Sequence, residues 1–216
     1  MSESRFAIWG NAGHAKVLGS LIALLGGRVL AVFDQYGGES VLAGVPLFVG
    51  EAGFAHWADT AQELGDIVGL VAIGGSRGRE RIAVQQRFAL RGLRQSSLVH
   101  PSASVCASAR LGAGTQVLAH AVVAADAWVG EACIVNHRAS IDHECKIGQG
   151  VHLAPGATLC GLVTLHDNVM VGAGAVVLPR LTVGANTVIG AGATVTRDLP
   201  ANVVVVGNPA RILKTI

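Results

Sequence analysis

The sequence is poor in aromatic residues and in charge, and each scarcity excludes a class of protein. Aromatic residues make up 4% of the 216 positions and charged residues 14%. The formal net charge is +2 and the basic residues form no run, so the electrostatic footprint of a nucleic-acid-binding protein is missing. With 51% hydrophobic residues the chain is not a disordered one. We expect its core to consist of small and β-branched side chains.

Long hydrophobic runs and paired cysteines are absent as well. The longest helix-like apolar stretch, Val17 to Leu25, is far shorter than the roughly 20 residues of a membrane span. The first residues, Met1 to Arg5, contain an acid and do not resemble a signal peptide. The four cysteines form no C-x-x-C pair. We therefore expect a soluble, cytoplasmic protein with reduced thiols, no membrane partner and no nucleic-acid partner.

A six-residue repeat runs through the second half of the chain. From Val99 to Val195 every sixth residue is Val, Ile or Leu, without an insertion. A second column of small or medium-sized residues, beginning at Ala103, follows four positions after the first. This period predicts short strands and turns stacked as a parallel β-helix, with three strands, and so three repeats, in each coil. Such a prism has three flat faces, which favours a closed trimer.

The first half of the chain alternates between strand-like and helix-like segments. Strands are predicted at Phe6–Trp9, Val29–Phe33, Val45–Val49 and Val68–Ile73, and helices at Ala15–Leu25, Gly50–Leu64 and Gly78–Leu93. The alternation predicts a Rossmann-like parallel α/β domain with ligand space at the carboxyl ends of its strands. We therefore divide the chain into an α/β domain at 1–95, a β-helix at 96–200 and a C-terminal tail at 201–216.

The turn after the first predicted strand, Gly10-Asn-Ala-Gly13, places backbone N–H groups at a helix N-terminus, where an anion is favoured. Asp34 comes at the end of the second predicted strand, where it can accept hydrogen bonds from a ribose or a base. The full G-x-G-x-x-G fingerprint is absent, which argues against bound NAD. The turn fits either a ligand that contains a nucleotide or a purely structural role.

One histidine of the repeat has the surroundings of a catalytic base. His143 is flanked by Asp142 and Glu144, and the three-repeat register places Gly161 directly above it. A glycine there leaves open space and an accessible N–H group beside the imidazole, which suits a general base with an oxyanion donor nearby. Glu144 can orient the ring only if the chain turns there, and Asp142 or a carboxylate of another subunit is the alternative.

Several short motifs together resemble one family. They are Gly10-Asn-Ala-Gly13-His14-Ala15, Val32-Phe-Asp34, Val71-Ala-Ile-Gly74, Val99-His-Pro-Ser102, the segment 136–144, and Gly207-Asn-Pro-Ala-Arg211. Over nearly its whole length the chain is similar to the left-handed β-helix sugar acetyltransferases, which include sialic acid O-acetyltransferases and nucleotide-sugar N-acetyltransferases acting on bacillosamine or perosamine precursors. The resemblance implies a homotrimer of polysaccharide biosynthesis, with acetyl-CoA along the solenoid between two subunits and the sugar nucleotide on the N-terminal domain.

The resemblance also implies roles for individual residues. His143 would be the catalytic base and Glu144 the carboxylate that raises its basicity. Substrate-binding residues would be Gly10, Asn11, Ala12, Gly13, His14, Asp34, Gln35 and Gly74, and acetyl-CoA contacts would come from His152, Gly161, Ala173 and Ala191. No metal is implied. Some relatives have a second acid at the position of Gln35 and Asp-Asn in place of Gly75-Ser76, so the identity of the nucleotide base stays open.

The predicted function is the acetyl-CoA-dependent acetylation of the amino group of a nucleotide-linked 4-amino-4,6-dideoxy sugar, by direct attack with His143 as the base. The alternatives are a sialic acid-type sugar O-acetyltransferase and a non-catalytic nucleotide-sugar-binding protein. An acyl-enzyme on Cys145 or Cys160 is less favoured. A zinc hydratase of the carbonic anhydrase kind needs three converging imidazoles, which the histidine spacing does not favour. The sequence leaves open the acceptor atom, the sugar and the length of the acyl group.

Overall fold

The computed structural model describes residues 4–216 and divides the chain into two compact units. The first unit comprises the residues up to Ile73 together with Ala83–Ser96, and the second comprises Gly74–Ile82 and Ser97–Ile216. Among the described residues, no helix has both the length and the apolar character needed to cross a bilayer.

The first unit is a parallel sheet with helices between its strands, as the alternating pattern predicts. Its strands are β1 (Arg5–Trp9), β2 (Arg28–Asp34), β3 (Leu47–Val49) and β4 (Ile67–Val71), and its helices are α1 (Gly13–Leu24), α2 (Gly50–Thr60), the 3₁₀ turn Leu64–Asp66 and most of α3 (Gly78–Leu90). The strands are all parallel in the order β3-β2-β1-β4. This order places the carboxyl ends of β1 and β2 side by side, where the Gly10 turn and Asp34 follow.

Helix α2 is shorter than predicted. The prediction of helix up to Leu64 is wrong after Thr60, because the chain becomes extended at Ala61 (φ −71°, ψ 136°). The Thr60 hydroxyl donates to the carbonyl oxygens of His56 (3.1 Å) and Trp57 (3.0 Å), a local bond that competes with helix propagation. The other predicted elements are present, with ends that coincide with the prediction or differ from it by up to three residues.

The core of the first unit is aromatic, which corrects the expectation of a core built only from small and β-branched side chains. Eight of the nine aromatic residues lie before position 96. Phe33 is the centre of the cluster, with ring centroids 5.1 to 6.1 Å from those of its partners Trp9, Phe48, Phe54, Trp57 and Phe88. The low aromatic content of the whole chain is therefore due to the six-residue repeat, which contains almost no aromatic residues, and not to the α/β unit.

The second unit is a parallel β-helix. Seventeen two-residue strands, β5 to β21, recur at every sixth position, at Leu98–Val99, Ser104–Val105, Arg110–Leu111, Gln116–Val117, Val122–Val123, Trp128–Val129, Ile134–Val135, Ser140–Ile141, Lys146–Ile147, His152–Leu153, Thr158–Leu159, Thr164–Leu165, Met170–Val171, Val176–Val177, Thr182–Val183, Val188–Ile189 and Thr194–Val195. Within each sheet, a strand pairs in parallel with the strand three repeats later, as Ser140 does with Thr158. The predicted coil of three repeats is confirmed.

The coils form three faces. The first face contains β5, β8, β11, β14, β17 and β20, the second β6, β9, β12, β15, β18 and β21, and the third β7, β10, β13, β16 and β19. The inward aliphatic residues are buried from Val117 to Val195. Two further strands, β22 (Val203–Val206) and β23 (Arg211–Thr215), extend the first face, β22 parallel to β20 and β23 antiparallel to β22.

The turns of the β-helix repeat as regularly as its strands. At every sixth position from Gly114 to Gly192 the backbone has a left-handed φ, between 53° and 69°, although most of these positions are not occupied by glycine. Three corners result, each named after a residue it holds or contacts. The Ala173 corner contains the turns that lead from the first face to the second, at 118–120, 136–138, 154–156, 172–174 and 190–192. The His143 corner contains the turns from the second face to the third, at 124–126, 142–144, 160–162 and 178–180. The Arg81 corner contains the turns from the third face to the first, at 130–132, 148–150, 166–168 and 184–186.

Candidate active site

His143 projects from its corner as a half-exposed side chain paired with a carboxylate. Its Nδ1 lies 3.1 Å from Oε2 of Glu144, and 51% of its side chain is exposed. Glu144 has a left-handed φ of 57°, so the chain turns here, and this turn lets two consecutive side chains meet. The backbone N–H of His143 donates to Oδ1 of Asp142 (2.7 Å), so Asp142 fixes the backbone and Glu144 orients the ring.

Gly161 lies against the imidazole of His143, one coil further on. A β-carbon at Gly161 would collide with the ring, and its nearest atom would be Nε2. Among residues 4–216, none accepts a hydrogen bond from the N–H of Gly161. The structure therefore places Nε2, the ring nitrogen opposite Glu144, beside an available backbone donor.

His152 stands on the first face, away from the His143 corner, and is buried (6% exposed). Its Nδ1 accepts a hydrogen bond from the backbone N–H of Gly75 (2.8 Å), and its Nε2 lies 3.2 Å from the side-chain nitrogen of Asn136. A side chain at Gly74 would contact Cε1 of the same ring. Two residues predicted for different ligands, Gly74 for the substrate and His152 for acetyl-CoA, are therefore neighbours.

Ala173 and Ala191 lie one above the other on the Ala173 corner. Both are exposed, and the N–H of Gly192 donates to the carbonyl of Ala173 (2.9 Å), which links the two turns. A single chain thus places these two predicted coenzyme contacts on one corner of the prism, and His143 with Gly161 on another. The spacing agrees with this placement, because Ala173 and Ala191 do not follow His143 by a multiple of 18 residues.

In the first unit, the predicted phosphate loop is built around Gly10. Its φ of 117° and the closeness of the Ala72 carbonyl, 2.6 Å from where a β-carbon would stand, require glycine. The side chain of Asn11 donates to the carbonyl of Glu39 (2.9 Å) and accepts from the N–H of Val41 (2.8 Å). The loop continues through Ala12, the N-cap of α1, into Gly13 and His14, and no side chain caps the helix there.

Asp34 holds this loop in place. Its two carboxylate oxygens accept the backbone N–H groups of Asn11 (2.7 Å) and Tyr36 (3.1 Å). Gln35 is exposed, and so is the ring of Tyr36, at 82%. The side chains of Gln35 and Tyr36 are therefore exposed directly after β2, while Asp34 has a structural task in addition to the one predicted for it.

Cys145 does not offer a nucleophile at this site. Cys145 is buried in the small-residue column, its thiol donates to the carbonyl of Cys160 (3.2 Å), and burial raises its pKa to about 11. A thiol that stays protonated at neutral pH is a poor nucleophile, which disfavours an acyl-enzyme on Cys145. Within the described part of the chain, no three His, Cys, Asp or Glu side chains are placed to hold a metal ion.

Sequence reasoning missed one buried group close to His152. Arg81, on α3, is fully buried and donates to three backbone carbonyls, one of which belongs to Gly75. Its burial could have been predicted from its position in the sequence. Arg81, Val84 and Phe88 are spaced three and four residues apart, so the arginine lies in the apolar stripe of a helix.

Known proteins are similar to this chain along almost its whole length. The family described as bacterial transferase hexapeptide (six repeats) matches residues 163–197. The GDP-perosamine N-acetyltransferase of Escherichia coli O157:H7 is 34% identical over 149 residues, which cover 67% of this chain and 66% of that relative, slightly less than two thirds. This curated relative thus extends beyond the matched region.

Two solved structures match a larger share of this chain than the curated relative does. A variant of perosamine N-acetyltransferase from Caulobacter crescentus with a histidine replaced by asparagine, in complex with CoA and GDP-perosamine, is 34% identical and has a TM-score of 0.89, with 97% of this chain and 96% of that chain covered. The acetyltransferase domain of PglB from Neisseria gonorrhoeae, in complex with acetyl coenzyme A, is 31% identical with a TM-score of 0.87, covering 98% and 100%.

The chain belongs to this family of hexapeptide-repeat sugar N-acetyltransferases. The predicted family and the predicted enzyme class, an acetyltransferase, are thereby confirmed. The hexapeptide β-helix of this acetyltransferase is confirmed with them. The roles assigned to its individual site residues stay predictions.

Proposed function

We propose that this acetyltransferase moves the acetyl group of acetyl-CoA to the amino group of a nucleotide-linked 4-amino-4,6-dideoxy sugar, with GDP-perosamine as the first acceptor to test. One observation carries the proposal: His143 pairs with Glu144 beside Gly161, in a chain that is 34% identical over 97% of its length to a perosamine enzyme solved with CoA and GDP-perosamine. We further propose a left-handed solenoid and a cytoplasmic enzyme with free thiols.

In the proposed reaction, the sugar amine attacks the thioester carbonyl while His143 removes its proton. Glu144 accepts from Nδ1–H, which leaves the lone pair on Nε2 free and stabilises the imidazolium that forms. The tetrahedral intermediate then expels the CoA thiolate, which takes up the proton from His143. The products are the amide and free CoA thiol, and the enzyme returns to its starting state.

Gly161 is the proposed oxyanion donor. Its N–H group is not engaged by another described residue, and its α-carbon lies against Nε2 of His143. A backbone donor held rigidly by the coil costs no reorganisation as negative charge develops on the thioester oxygen. The base and the oxyanion donor would thus come from the same position of two successive coils.

The first unit is the proposed holder of the nucleotide. The loop from Gly10 to His14 ends at the N-terminus of α1, which has no side-chain cap and so favours an anionic ligand such as a diphosphate. Gln35, exposed beside the loop, is the proposed contact for the nucleoside. These assignments give residues 1–95 the task of acceptor recognition and residues 96–200 the task of acetyl transfer.

We propose a trimer because the residues predicted to contact acetyl-CoA lie on different corners of a single chain. His143 and Gly161 lie on one corner, whereas Ala173 and Ala191 lie on another. In a closed ring of three subunits, one corner of each prism meets a different corner of its neighbour, and the two halves would then face each other. The proposed site therefore forms between subunits.

The first experiment measures free thiol released from acetyl-CoA with GDP-, UDP- and dTDP-linked 4-amino sugars and with free sialic acid. Turnover with one amino-sugar nucleotide, giving an amide that is stable to alkali, would support the proposal and identify the nucleobase of the substrate. Turnover with sialic acid alone, giving a base-labile ester, would replace it by O-acetylation. Tight binding of a sugar nucleotide without any turnover would identify a binding protein instead of an enzyme.

A mixing experiment tests the intersubunit site. Homotrimers of His143→Asn and of Ala173→Arg should both be inactive, because each lacks one half of every site. A random equimolar mixture assembled from unfolded chains should recover about a quarter of the wild-type activity, since each mixed trimer contains one complete site. Mixing His143→Asn with the double variant that carries both changes is the control and should recover nothing. Absence of recovery in the first mixture, with trimers present in sedimentation, would place the site within one chain.

A further inference from the structure

One aromatic residue lies on the outer surface of the β-helix. Trp128 is the single aromatic residue after position 96, and 51% of it is exposed. It occupies the outward position of β10 on the third face, where its partners on the neighbouring strands are Arg110 and Lys146. An indole in this row of charged side chains adds nothing to the buried core, so its surface is available to a ligand.

Trp128 lines a surface groove together with charged and small residues. The groove has a volume of about 560 Å³, which is within the range of ligand pockets, and residues 107–110 and 126–128 of two successive coils line it. The backbone N–H of Asp126 donates to Oγ of Ser108 at 3.0 Å. This bond fixes the turn from which the carboxylate of Asp126 extends.

The polar groups of the groove are free of partners within the described part of the chain. No residue among 4–216 forms an ion pair or a hydrogen bond with the carboxylate of Asp126, the guanidinium of Arg110 or the indole N–H of Trp128. One open space is therefore lined by an acceptor, a cation and an aromatic ring, all of which can be satisfied by a ligand.

The groove lies on the coils that precede His143. Asp126 is the counterpart of Glu144 one coil earlier, and the N–H of Glu144 donates to the carbonyl of Ala125 (2.9 Å), so the two turns are in contact. The other residues proposed to contact acetyl-CoA, from His152 to Ala191, all come later in the chain than His143. Because the coils are stacked in chain order, the earlier coils are left for the acceptor.

The order of groups along the third face matches the order of groups in a nucleotide-linked amino sugar. Such an acceptor has an amine at one end, hydroxyl groups along its ring and a phosphate at the other end. From His143 toward the start of the solenoid come first Asp126 and Trp128 and then Arg110, about 9 Å from His143 along the axis. A carboxylate accepts from hydroxyl groups, an indole packs against the apolar face of a sugar, and a guanidinium pairs with phosphate.

We propose that this groove is the subsite for the amino sugar of the acceptor: Trp128 packs against the ring, Asp126 accepts its hydroxyl groups, and Arg110 pairs with the phosphate on its anomeric carbon. The inference rests on the proposed function, in which the acceptor is a nucleotide-linked amino sugar. The three side chains bind and orient the acceptor and transfer no proton. The rest of the nucleotide stays with the first unit in this account.

Quenching of tryptophan fluorescence by acrylamide identifies the occupant of the groove. Trp9 and Trp57 are buried, so the quencher reaches Trp128 above all. GDP-perosamine should protect Trp128, whereas GDP alone and CoA alone should not, and Trp128→Phe should abolish the protected signal. Equal protection by GDP would assign the groove to the nucleoside, and protection by CoA would assign it to the coenzyme. A Trp128 already shielded in the free protein would assign it to a contact between subunits. Each of these three results would overturn the proposal.

Binding by variants separates the amino sugar from the nucleotide. Asp126→Asn and Trp128→Ala should each weaken the binding of GDP-perosamine about tenfold and leave the binding of GDP unchanged, because GDP lacks the amino sugar. Trp128→Phe keeps a ring and should recover most of the affinity. Glu131→Gln, an exposed acid on the Arg81 corner, is the matched control for Asp126→Asn and should bind both ligands normally. Equal losses for the two ligands, or no loss for GDP-perosamine, would contradict the proposal.

Steady-state kinetics distinguish a failure of this inference from a failure of the proposed function. Asp126→Asn, Trp128→Ala and Arg110→Met should raise the KM for GDP-perosamine about tenfold and leave the KM for acetyl-CoA unchanged. Wild-type KM values in the three folded variants would overturn the sugar subsite and leave the proposed function intact. A wild-type protein that neither binds nor acetylates any amino-sugar nucleotide would overturn the proposed function and the inference with it.

Discussion

The two compact units of this acetyltransferase build their cores in opposite ways. In the first unit, Phe33 gathers five rings from β1, β3, α2 and α3, so its core depends on contacts between segments far apart in the sequence. In the second, one aliphatic side chain per strand is stacked on its equivalent in the next coil, without a buried ring. The two buried clusters share no residue.

This difference determines where each unit can carry chemistry. The β-helix uses its interior for packing alone and presents His143, Gly161 and Ala173 at turns, which can vary without disturbing the core. The first unit has one loop for its ligand, and that loop is tied to the sheet by Gly10 and Asp34. We therefore expect substitutions at the solenoid corners to separate activity from stability, and substitutions at the aromatic centre to affect stability first.

The largest expected effect is at the His143 corner. His143→Asn should lower kcat by about 10²- to 10⁴-fold, because it removes the general base. The side chain is half exposed, so the free energy of unfolding should change by no more than about 0.5 kcal/mol. His166→Asn, at a turn of another corner, is the control and should keep wild-type kcat. Near-normal turnover by a folded His143→Asn trimer would remove His143 from the mechanism.

Next in size is the aromatic centre of the first unit. Phe33→Ala should lower the free energy of unfolding by about 3–5 kcal/mol, since it empties a site surrounded by five rings. Urea denaturation should show an early transition followed by a later one for the β-helix, whose core is separate. Tyr36→Ala, at an exposed ring, should leave the curve unchanged. A single transition shifted as a whole would show that the two units unfold together.

A truncation in the aliphatic column should cost somewhat less and act more locally. Leu159→Ala, in the middle of the stack, should destabilise by about 2–5 kcal/mol. Because a coil contacts only its neighbours, faster hydrogen exchange should be confined to the coils of Ile141, Leu159 and Val177. Faster exchange throughout the solenoid would mean that its coils do not behave as separate units.

The smallest expected effect concerns pH. The pKa of His137 is held below its usual value of 6.5, first by partial burial and then by the nearby His100 and His120. Just below pH 6.5, the unfolded chain therefore binds more protons at His137 than the native chain does. The contribution of neutral His137 to the free energy of unfolding is fully present above pH 6.5 and is lost as the pH falls below that value.

The measurement for His137 is urea denaturation at about pH 7.5 and about pH 5.5. His137→Gln should lose less stability on acidification than the wild type. His166→Gln, a change on another corner, should behave like the wild type. An unchanged loss in His137→Gln would assign the acid sensitivity to other groups.

The sequence allowed the β-helix to be predicted well because its register is local. An uninterrupted period of three repeats places Gly161 over His143 by counting, and the structure has the same pairing. The same count places His152 and Ala173 away from His143, because they follow it by nine and thirty residues and neither number is a multiple of 18. What counting could not provide is the contact between the loop at Gly75 and His152, which joins residues far apart in the sequence.

The first unit was less predictable because it has no repeat, and bonds between side chains and the backbone decide its details. The end of α2 depends on a side-chain hydroxyl, Thr60, that bonds back to the helix. Asp34 was recognised from its place after a strand, but not its bonds to the backbone of Asn11 and Tyr36. In the second unit, Arg81 was missed altogether, because a lone arginine in an apolar stripe gives no indication of which carbonyls surround it.

The constant six-residue spacing of the left-handed turn residues, from Gly114 to Gly192, has a consequence for how such a protein can change in evolution. Insertion of three repeats would add one coil, about 4.8 Å of height, and keep every later side chain on its face. Insertion of a single residue would turn every later inward side chain outward. A coil inserted between His152 and Ala173 would increase the distance between them along the solenoid axis by one strand spacing. Variation in length within this family should therefore occur in whole coils. Each added coil would lengthen the surface along which the extended coenzyme is proposed to lie.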